Sequence, residues 1–459
     1  MGAAILADPD SAAVNRVHGL TVGTDSLNVL IGIHLVSPPF SYGSTLSFID
    51  LVVKDGHNGG MDGNYAEAFS LSGMSSPVEI VDQVISQAAK MNASDILFEP
   101  QEKETLVRLR VDGVLQVFGV MPPGSYDQAL ARIKVLANMD VTENRKPQEA
   151  KIRVEVEGHP YVLRVAVVST NFGQMVALRV LDLPQYSEFE ALGMSPLIVD
   201  KIKKNIEGRY GLFLVAGPTG AGKTTTVHTC LKYLNNGEVN IMTLEDPVEY
   251  VIGGINQIEV GEDIGMDFAN GLRMMLRLNP DVVFVGEIRD SETAKVAIQA
   301  ALTGHLVIST IHARNSVGAL YRMMDLGVDK YMLNYALRAV MSQRLLRRVC
   351  EHCRAEYVPT QEEVERYVAE AGQALGELFA GKGCEMCRQT KFAGRVGIYE
   401  LLEVDDEVRK LVFSGAGETE FREEMGKRGF TGMSREGVRL VNEGVTSLKE
   451  YLRTMYDAR

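Results

Sequence analysis

"LFLVAGPTGAGKTTTVHTCLKYL", Leu212 to Leu234, decides the fold. An apolar run of strand character, Leu212 to Ala216, leads into a glycine-rich loop and then a helix-forming stretch. Gly217, Gly222, Lys223 and Thr224 match Gly-x4-Gly-Lys-Ser/Thr, and strand, loop and helix in that order are the context the motif requires. The compact run Gly217, Pro218, Thr219, Gly220, Ala221, Gly222 lets backbone N–H groups wrap phosphates, and the following helix N-terminus adds a favourable dipole. In such a loop Lys223 neutralises the outer phosphates and Thr224, with Thr225 next in the same turn, faces Mg²⁺. The stretch predicts an ATP site in an α/β fold.

Outward from this loop, strands and helices alternate from about Ser195 to Ala313, the pattern of βαβ units and a largely parallel sheet. Upstream, "SPVEIVDQVISQAAKMNA" reads as a helix opened by Ser76-Pro77, followed by strand-like runs with a hairpin signal at Asp112-Gly113. A helix and the pair "KIRVEVEGHPYVLRVAVVST" and "QMVALRVLDL" complete a small α+β domain. The expected organisation is this domain at 77–183, a linker at 184–194 and the nucleotide-binding core at 195–345. A tetracysteine subdomain at 346–400 and a helical region at 401–459 follow, the chain beyond Ala313 reading as mostly helical. Residues 1–76, with "SPPFSYGS" and "KDGHNGGMDGN", have loop composition and read as a poorly ordered arm or a reduced domain with no assigned function.

At 459 residues the chain is long enough for two to four domains. A hydrophobic share of 46% and a charged share of 23% are those of a folded globular protein. The formal net charge of -13 argues against a nucleic-acid-binding surface, which relies on Lys and Arg neutralising phosphates. The longest apolar candidate, Leu27 to Val36, falls short of the roughly 18 residues a membrane span needs, and the start lacks the basic region of a secretory signal. A cytoplasmic protein with peripheral membrane contact is expected.

Four of the five cysteines form two Cys-x-x-Cys pairs, Cys350/Cys353 and Cys384/Cys387. This is the tetrathiolate pattern of structural Zn²⁺, with no open position for catalysis. Cys230, on the helix after the phosphate loop, reads as core packing. Three carboxylates, Glu245, Asp246 and Glu249, end the strand in "NIMTLEDPVEY", where α/β sheets place ligands. One of them could polarise the water that attacks the γ-phosphate; a solvated acidic turn is the plain alternative. In "VVFVGEIRD", Val282 to Asp290, Gly286 stands where a phosphate-loop enzyme usually has aspartate.

Together the phosphate loop, "TLEDPVEY", "VVFVGEIRD" and "TGHLVISTIHA" resemble, in order, the four motifs of the bacterial type II secretion and type IV pilus assembly ATPases. The resemblance runs from about residue 78 to 457 and includes "GRVGIYELLEV" and "EGVTSLKEYLRTM". It implies a PAS-like N-terminal domain ahead of a RecA-like core. In this family a Gly-Glu pair normally ends the second strand motif, so Gly286 is expected; Glu287 organises Mg²⁺ and Glu249 is the candidate base. The resemblance implies that His312 senses the γ-phosphate, where a satisfied structural histidine is the plain alternative, and His305 of the same box reads as structural. Arg164 and Arg179 reach the nucleotide from the upstream domain, while Arg273 and Arg277, four apart on one helix face, serve closure or subunit contact. A similar tetracysteine element marks the secretion and pilus-extension subtype and is typically missing from retraction motors.

The resemblance further implies a homohexamer that works on an inner-membrane platform protein of a pilus or secretion machine. Leu97 and Ala313 depart from the family's usual histidine and threonine, and the N-terminal docking domain has no recognisable counterpart. The competing readings are a RecA-like DNA-translocating ATPase, a pilus-retraction motor, and a protein that binds ATP without hydrolysing it.

Overall fold

The computed structural model describes residues 69–70, 76–182, 188–208, 210–261, 265–371 and 376–456. The expected arm or reduced docking segment lies almost wholly outside these residues, as do 184–187 of the expected linker.

The first sheet is built from β1 (Phe69–Ser70), α1 (Pro77–Lys90), β2 (Ala93–Pro100), β3 (Thr105–Val111), β4 (Val114–Met121), α2 (Pro123–Leu136), β5 (Gln148–Val156), β6 (His159–Thr170) and β7 (Gly173–Asp182). Ser76 caps α1 by accepting a hydrogen bond from the Val78 N–H. Asp112 (φ 49°) and Gly113 (φ 81°) close the two-residue turn between β3 and β4. The strand order is β1-β4-β3-β2-β7-β6-β5, antiparallel except for β1 beside β4. Residues of period two, such as Leu163, Val165 and Val167 on β6, join Val84, Ile96, Phe98 and Ile133 in one core. Arg164 and Arg179 therefore stand on the opposite face, as direct cross-strand neighbours.

The second sheet follows α3 (Pro196–Ile206): β8 (Gly211–Ala216), α4 (Lys223–Leu234), β9 (Ile241–Glu245), β10 (Asn256–Glu259), α5 (Phe268–Met275), β11 (Val282–Val285), α6 (Ser291–Leu302), β12 (Leu306–Ile311), α7 (Ser316–Asp325), α8 (Lys330–Ala336) and β13 (Leu337–Val349). Then come β14 (Arg354–Glu356), α9 (Gln361–Ala371), β15 (Phe379–Gly381), β16 (Phe392–Glu403), α10 (Asp406–Ser414), α11 (Glu418–Lys427), α12 (Met433–Asn442) and α13 (Leu448–Tyr456). The order β10-β9-β11-β12-β8-β13-β16 is parallel throughout except for the edge strand β16. All six residues of β8 are buried, with Leu212, Leu214 and Ala216 in one apolar cluster and Phe213 and Val215 in another, as a strand covered on both faces must be.

The helices expected beyond Ala313 are present as α7, α8 and α10 to α13, but the region also holds two long strands that the periodicity missed. In β13 the buried positions include Ser342, Gln343 and Arg344, polar residues that interrupt the apolar signature of a central strand; Gln343 and Arg344 donate to other segments. The expected boundaries at 345/346 and 400/401 consequently fall inside β13 and β16, two strands hydrogen-bonded to each other in the second sheet. The segment outside that sheet, between Val349 and Phe392, carries the four cysteines.

Candidate active site

The phosphate loop joins β8 to α4. Gly217 (φ 156°) and Gly222 (φ 85°) hold backbone conformations that favour glycine, and a Cβ on Gly217 would stand 2.7 Å from the Gln343 carbonyl oxygen of β13. The Gln343 side chain secures the loop from the same side, donating from Nε2 to Ala221 O at 2.6 Å. Lys223 Nζ donates to Gly217 O (2.9 Å) and Pro218 O (3.1 Å). Burial lowers the Lys223 ammonium from its ordinary range, and the charge of Glu287 opposes that shift.

Glu287 follows β11 and has little exposure, with Gly286 N donating to Leu244 O of β9 at 2.7 Å. A Cβ on Gly286 would lie 3.1 Å from that same carbonyl oxygen, so the strand pairing itself selects glycine. One Glu287 oxygen pairs with Arg289, and the other lies 3.4 Å from His312 Nε2. Arg289 in turn reaches Asp246 at 3.6 Å. His312, Glu287, Arg289 and Asp246 thus form a chain across the ends of three parallel strands, joining the three motifs that follow the phosphate loop. Burial and the Lys223 charge lower the affinity of His312 for its proton.

Glu245 is buried at the end of β9, accepting from Thr243 Oγ1 (2.6 Å) and Gln257 Nε2 (3.0 Å). Burial would raise its carboxyl, but His228, Thr243 and Gln257 outweigh that and hold it below the usual range. Glu249, half-buried four residues on, is pushed the other way: burial raises its carboxyl, and Glu245 adds to the effect. His228, Arg179 and Arg164 act against that rise, so the upstream domain's arginine pair exerts its field on Glu249. Arg164 also pairs with Glu149 at 2.7 Å and Arg179 with Asp95 at 3.2 Å.

Other expected residues lie apart. Helix α5 ends at Met275, so Arg273 and Arg277 do not share its face: Arg277 sits in the following 3-10 turn, and Arg273 pairs with Glu292 at 2.6 Å. Asn279 (φ 54°) and Pro280 end the helical stretch two residues later. His305 Nδ1 lies 3.0 Å from Ala300 O, and Cys230 is fully buried with its thiol pushed up to about 12 by burial. Thr224 and Thr225 occupy the first turn of α4.

Arg289 and Gln343 belong to the site without having been singled out in the sequence. The triplet Glu287-Ile288-Arg289 carries a signal of its own, since alternate residues at a strand end point the same way. Gln343 carries none, because only β13 brings it to the loop. Beside Gly222 and Thr225 a cavity of about 650 Å³ opens, bounded by Asp112 of the hairpin turn, Leu192, Arg347 and Phe392. The Arg347 guanidinium lies 4.0 Å over the Phe392 ring.

The cysteine pairs meet in space. Cys350–Cys384, Cys353–Cys387 and Cys384–Cys387 sulfurs are 3.9, 3.8 and 3.6 Å apart, and all four lie within 4.8 Å of one another. A tetrahedron of sulfurs around an ion at ~2.3 Å has edges of roughly 3.8 Å, so the donor set fits a tetrathiolate metal. Gly383 N and Cys384 N point at Cys353 and Cys387 sulfurs, each at 3.3 Å. No helix among the described residues is long and apolar enough to cross a membrane.

Residues 71–453 match the family model described as type II/IV secretion system protein. The chain is 41% identical over 382 residues to the type II secretion system protein HxcR of Pseudomonas aeruginosa, covering 83% of this chain and 78% of that one. It is 39% identical over 421 residues to the type II secretion system protein E of Xanthomonas campestris, with 91% and 74% covered. It is also 40% identical over 379 residues to the type IV pilus assembly ATPase PilB of Thermus thermophilus, with 82% of this chain covered but only 42% of that longer protein. Among solved structures, the Legionella pneumophila ATPase DotB shares the fold, with a TM-score of 0.63 at 20% identity and coverage of 85% and 99%. The pilus retraction motor PilT with bound ADP gives 0.55 at 27% identity, with 81% and 96% covered. The phosphate loop, the joined motifs and these likenesses agree: the chain belongs to the type II/IV secretion system protein family, as one of its P-loop ATPases.

Proposed function

We propose that this chain is a cytoplasmic motor ATPase. It hydrolyses ATP to drive type IV pilus assembly or type II secretion through an inner-membrane platform protein, working as a homohexamer. The observation that carries this reading is the chain His312–Glu287–Arg289–Asp246, which joins the motifs that follow the phosphate loop and sets the Glu287 charge against Lys223.

In this reading Lys223 and the loop N–H groups hold the outer phosphates while Glu249 takes the proton from the attacking water. A carboxyl raised by burial suits that task better than one at its ordinary value, because a stronger base accepts the proton more readily. Arg164 and Arg179 offset the charge that develops on the phosphates, and Arg273 and Arg277 serve contacts between subunits. Mg²⁺, held through the Thr224 hydroxyl and the Glu287 carboxylate, would neutralise phosphate charge. Zn²⁺ on the four cysteines is structural, a cross-link between the end of β13 and the approach to β16.

In the full chain, Lys223→Ala and Glu249→Gln should each lower ATP turnover at least a hundredfold with unchanged circular dichroism. Retained turnover in the Glu249 variant would remove that residue from the mechanism. In cells whose only copy carries Lys223→Ala, electron microscopy then separates the machines: loss of surface pili identifies pilus assembly, and normal pili with blocked export identify secretion. Pili in excess would favour the retraction reading instead.

A further inference from the structure

A buried histidine packs beside Glu245, the carboxylate that ends β9. His228 lies on α4, five residues past Lys223, and is only 2% exposed. Its ring stands edge-on to Tyr250 (centroids 5.7 Å, 81°) and to Phe284 of β11 (6.4 Å, 86°). Its Nε2 faces Glu245 Oε2 at 3.7 Å, within ion-pair range and just beyond a hydrogen bond. Neither ring nitrogen has a hydrogen-bond partner among the described residues. One ring thus meets the helix that opens at the phosphate loop, the strand that carries Glu245, the turn that carries Glu249 and the strand that leads to Glu287.

A slot between two aromatic rings could be filled by an apolar side chain. A polar ring left without partners there costs about 1–3 kcal/mol, so its nitrogen on the carboxylate side asks for a reason. We propose that His228 is a positioning residue for ATP hydrolysis: its Nε2–H, aimed at Glu245, holds the 245–249 turn in register with the phosphate loop. The proposal rests on Glu249 as the base. The groups facing this ring are Glu245 from β9 and Glu249 and Tyr250 from the turn; Phe284 adds no charge, and Arg164 and Arg179 act on Glu249 from β6 and β7. Glu245 opposes Glu249 ionisation and His228 acts in the other direction.

The test uses the full chain, with ATPase rates followed from about pH 5.5 to about pH 9. His228→Phe and His228→Met fill the slot without an N–H, whereas His228→Gln keeps a donor. Expected for Phe and Met is a fall in kcat of about tenfold with KM for ATP nearly unchanged, the acidic limb moving to higher pH and Gln recovering most of the rate. Where one apolar variant does not fold, the other carries the test. Wild-type kcat and an unmoved limb in a folded apolar variant would overturn the proposal, as would a Gln variant as slow as Phe at equal thermal stability. Glu249→Gln in the same assay separates the two assignments: its inactivity beside a normal His228→Phe removes His228 alone, and its full activity removes the base.

Discussion

Gly286 shows how a single position is decided by its neighbours. Its N–H bonds to Leu244 O, and a side chain there would crowd that carbonyl. The aspartate common to other phosphate-loop enzymes would stand tight against that oxygen, 3.1 Å from its Cβ, and the metal-side carboxylate falls to Glu287 in the proposed mechanism. Gly286→Asp should therefore destabilise the chain by roughly 1–3 kcal/mol, seen as a lower midpoint of thermal unfolding, rather than restore a better site. Glu249 gives a second expectation at this scale. A base acts only when ionised, and burial raises the pH at which Glu249 loses its proton. Activity should fall as pH drops through a value above the ordinary carboxylate range of about 4.3, and the limb in kcat against pH reads it directly. The places of Lys223 and Glu287 in their motifs were legible because those motifs are short and local. The place of His228 was not, nor was the reach of Arg289 to Asp246, since these partners come from β9, β11 and the turn between β9 and β10, which only folding assembles.

Among the elements, β13 does the most for the site while carrying the least recognisable pattern. Its Gln343 holds the phosphate loop, its Arg347 borders the adjoining cavity, and both lie in a stretch whose arginines and glutamine hide a buried strand. Gly217→Ala would drive a Cβ into the Gln343 carbonyl, so nucleotide affinity should fall at least tenfold in a fluorescent-nucleotide titration while α4 remains folded. The same strand anchors the C-terminal helix: Glu450, fully buried, accepts from Arg347 at 2.6 Å and from Arg453 at 2.7 Å. Glu450→Gln leaves Arg347 without its charge partner, for an expected loss of about 3 kcal/mol in denaturant unfolding. Helices α1 and α4 and the β3–β4 turn could be read in advance, because Ser76-Pro77, the loop glycines and Asp112-Gly113 are local signals. Helix α5 could not be read as far as Arg277, because the tightening of its last turn depends on Asn279 and on Asn240, whose side chain donates to Leu278 O and Asn279 O.

For the molecule as a whole, two sheets, each with its own apolar clusters, were anticipated by the alternating and continuous apolar runs of the chain. The hairpin turn of the first meets the second at Asp112, which accepts from Gly394 N at 3.0 Å. Each residue sits in a recognisable segment, the Asp112-Gly113 turn and "GRVGIYELLEV", but nothing in either segment announces that the two meet. Metal analysis of the purified chain should return close to one zinc per chain. Removing zinc with a chelator, or making Cys384→Ser, should lower the unfolding midpoint by several degrees, and a zinc-free chain of unchanged stability would contradict the structural role.

The placing of the cysteines on either side of the β13–β16 pair has an engineering consequence. Cys350 directly follows β13, and Cys387 stands five residues before β16, so a metal there fastens the mouth of a long excursion at its neck. With the neck fastened, strand register no longer depends on the length of what lies beyond, and doubling that length would add only about 0.6 kcal/mol even to an open loop. Extra length can therefore be carried by the excursion as long as Tyr367 and Leu378, buried against Val438, Leu448 and Tyr451 of the C-terminal helices, are kept.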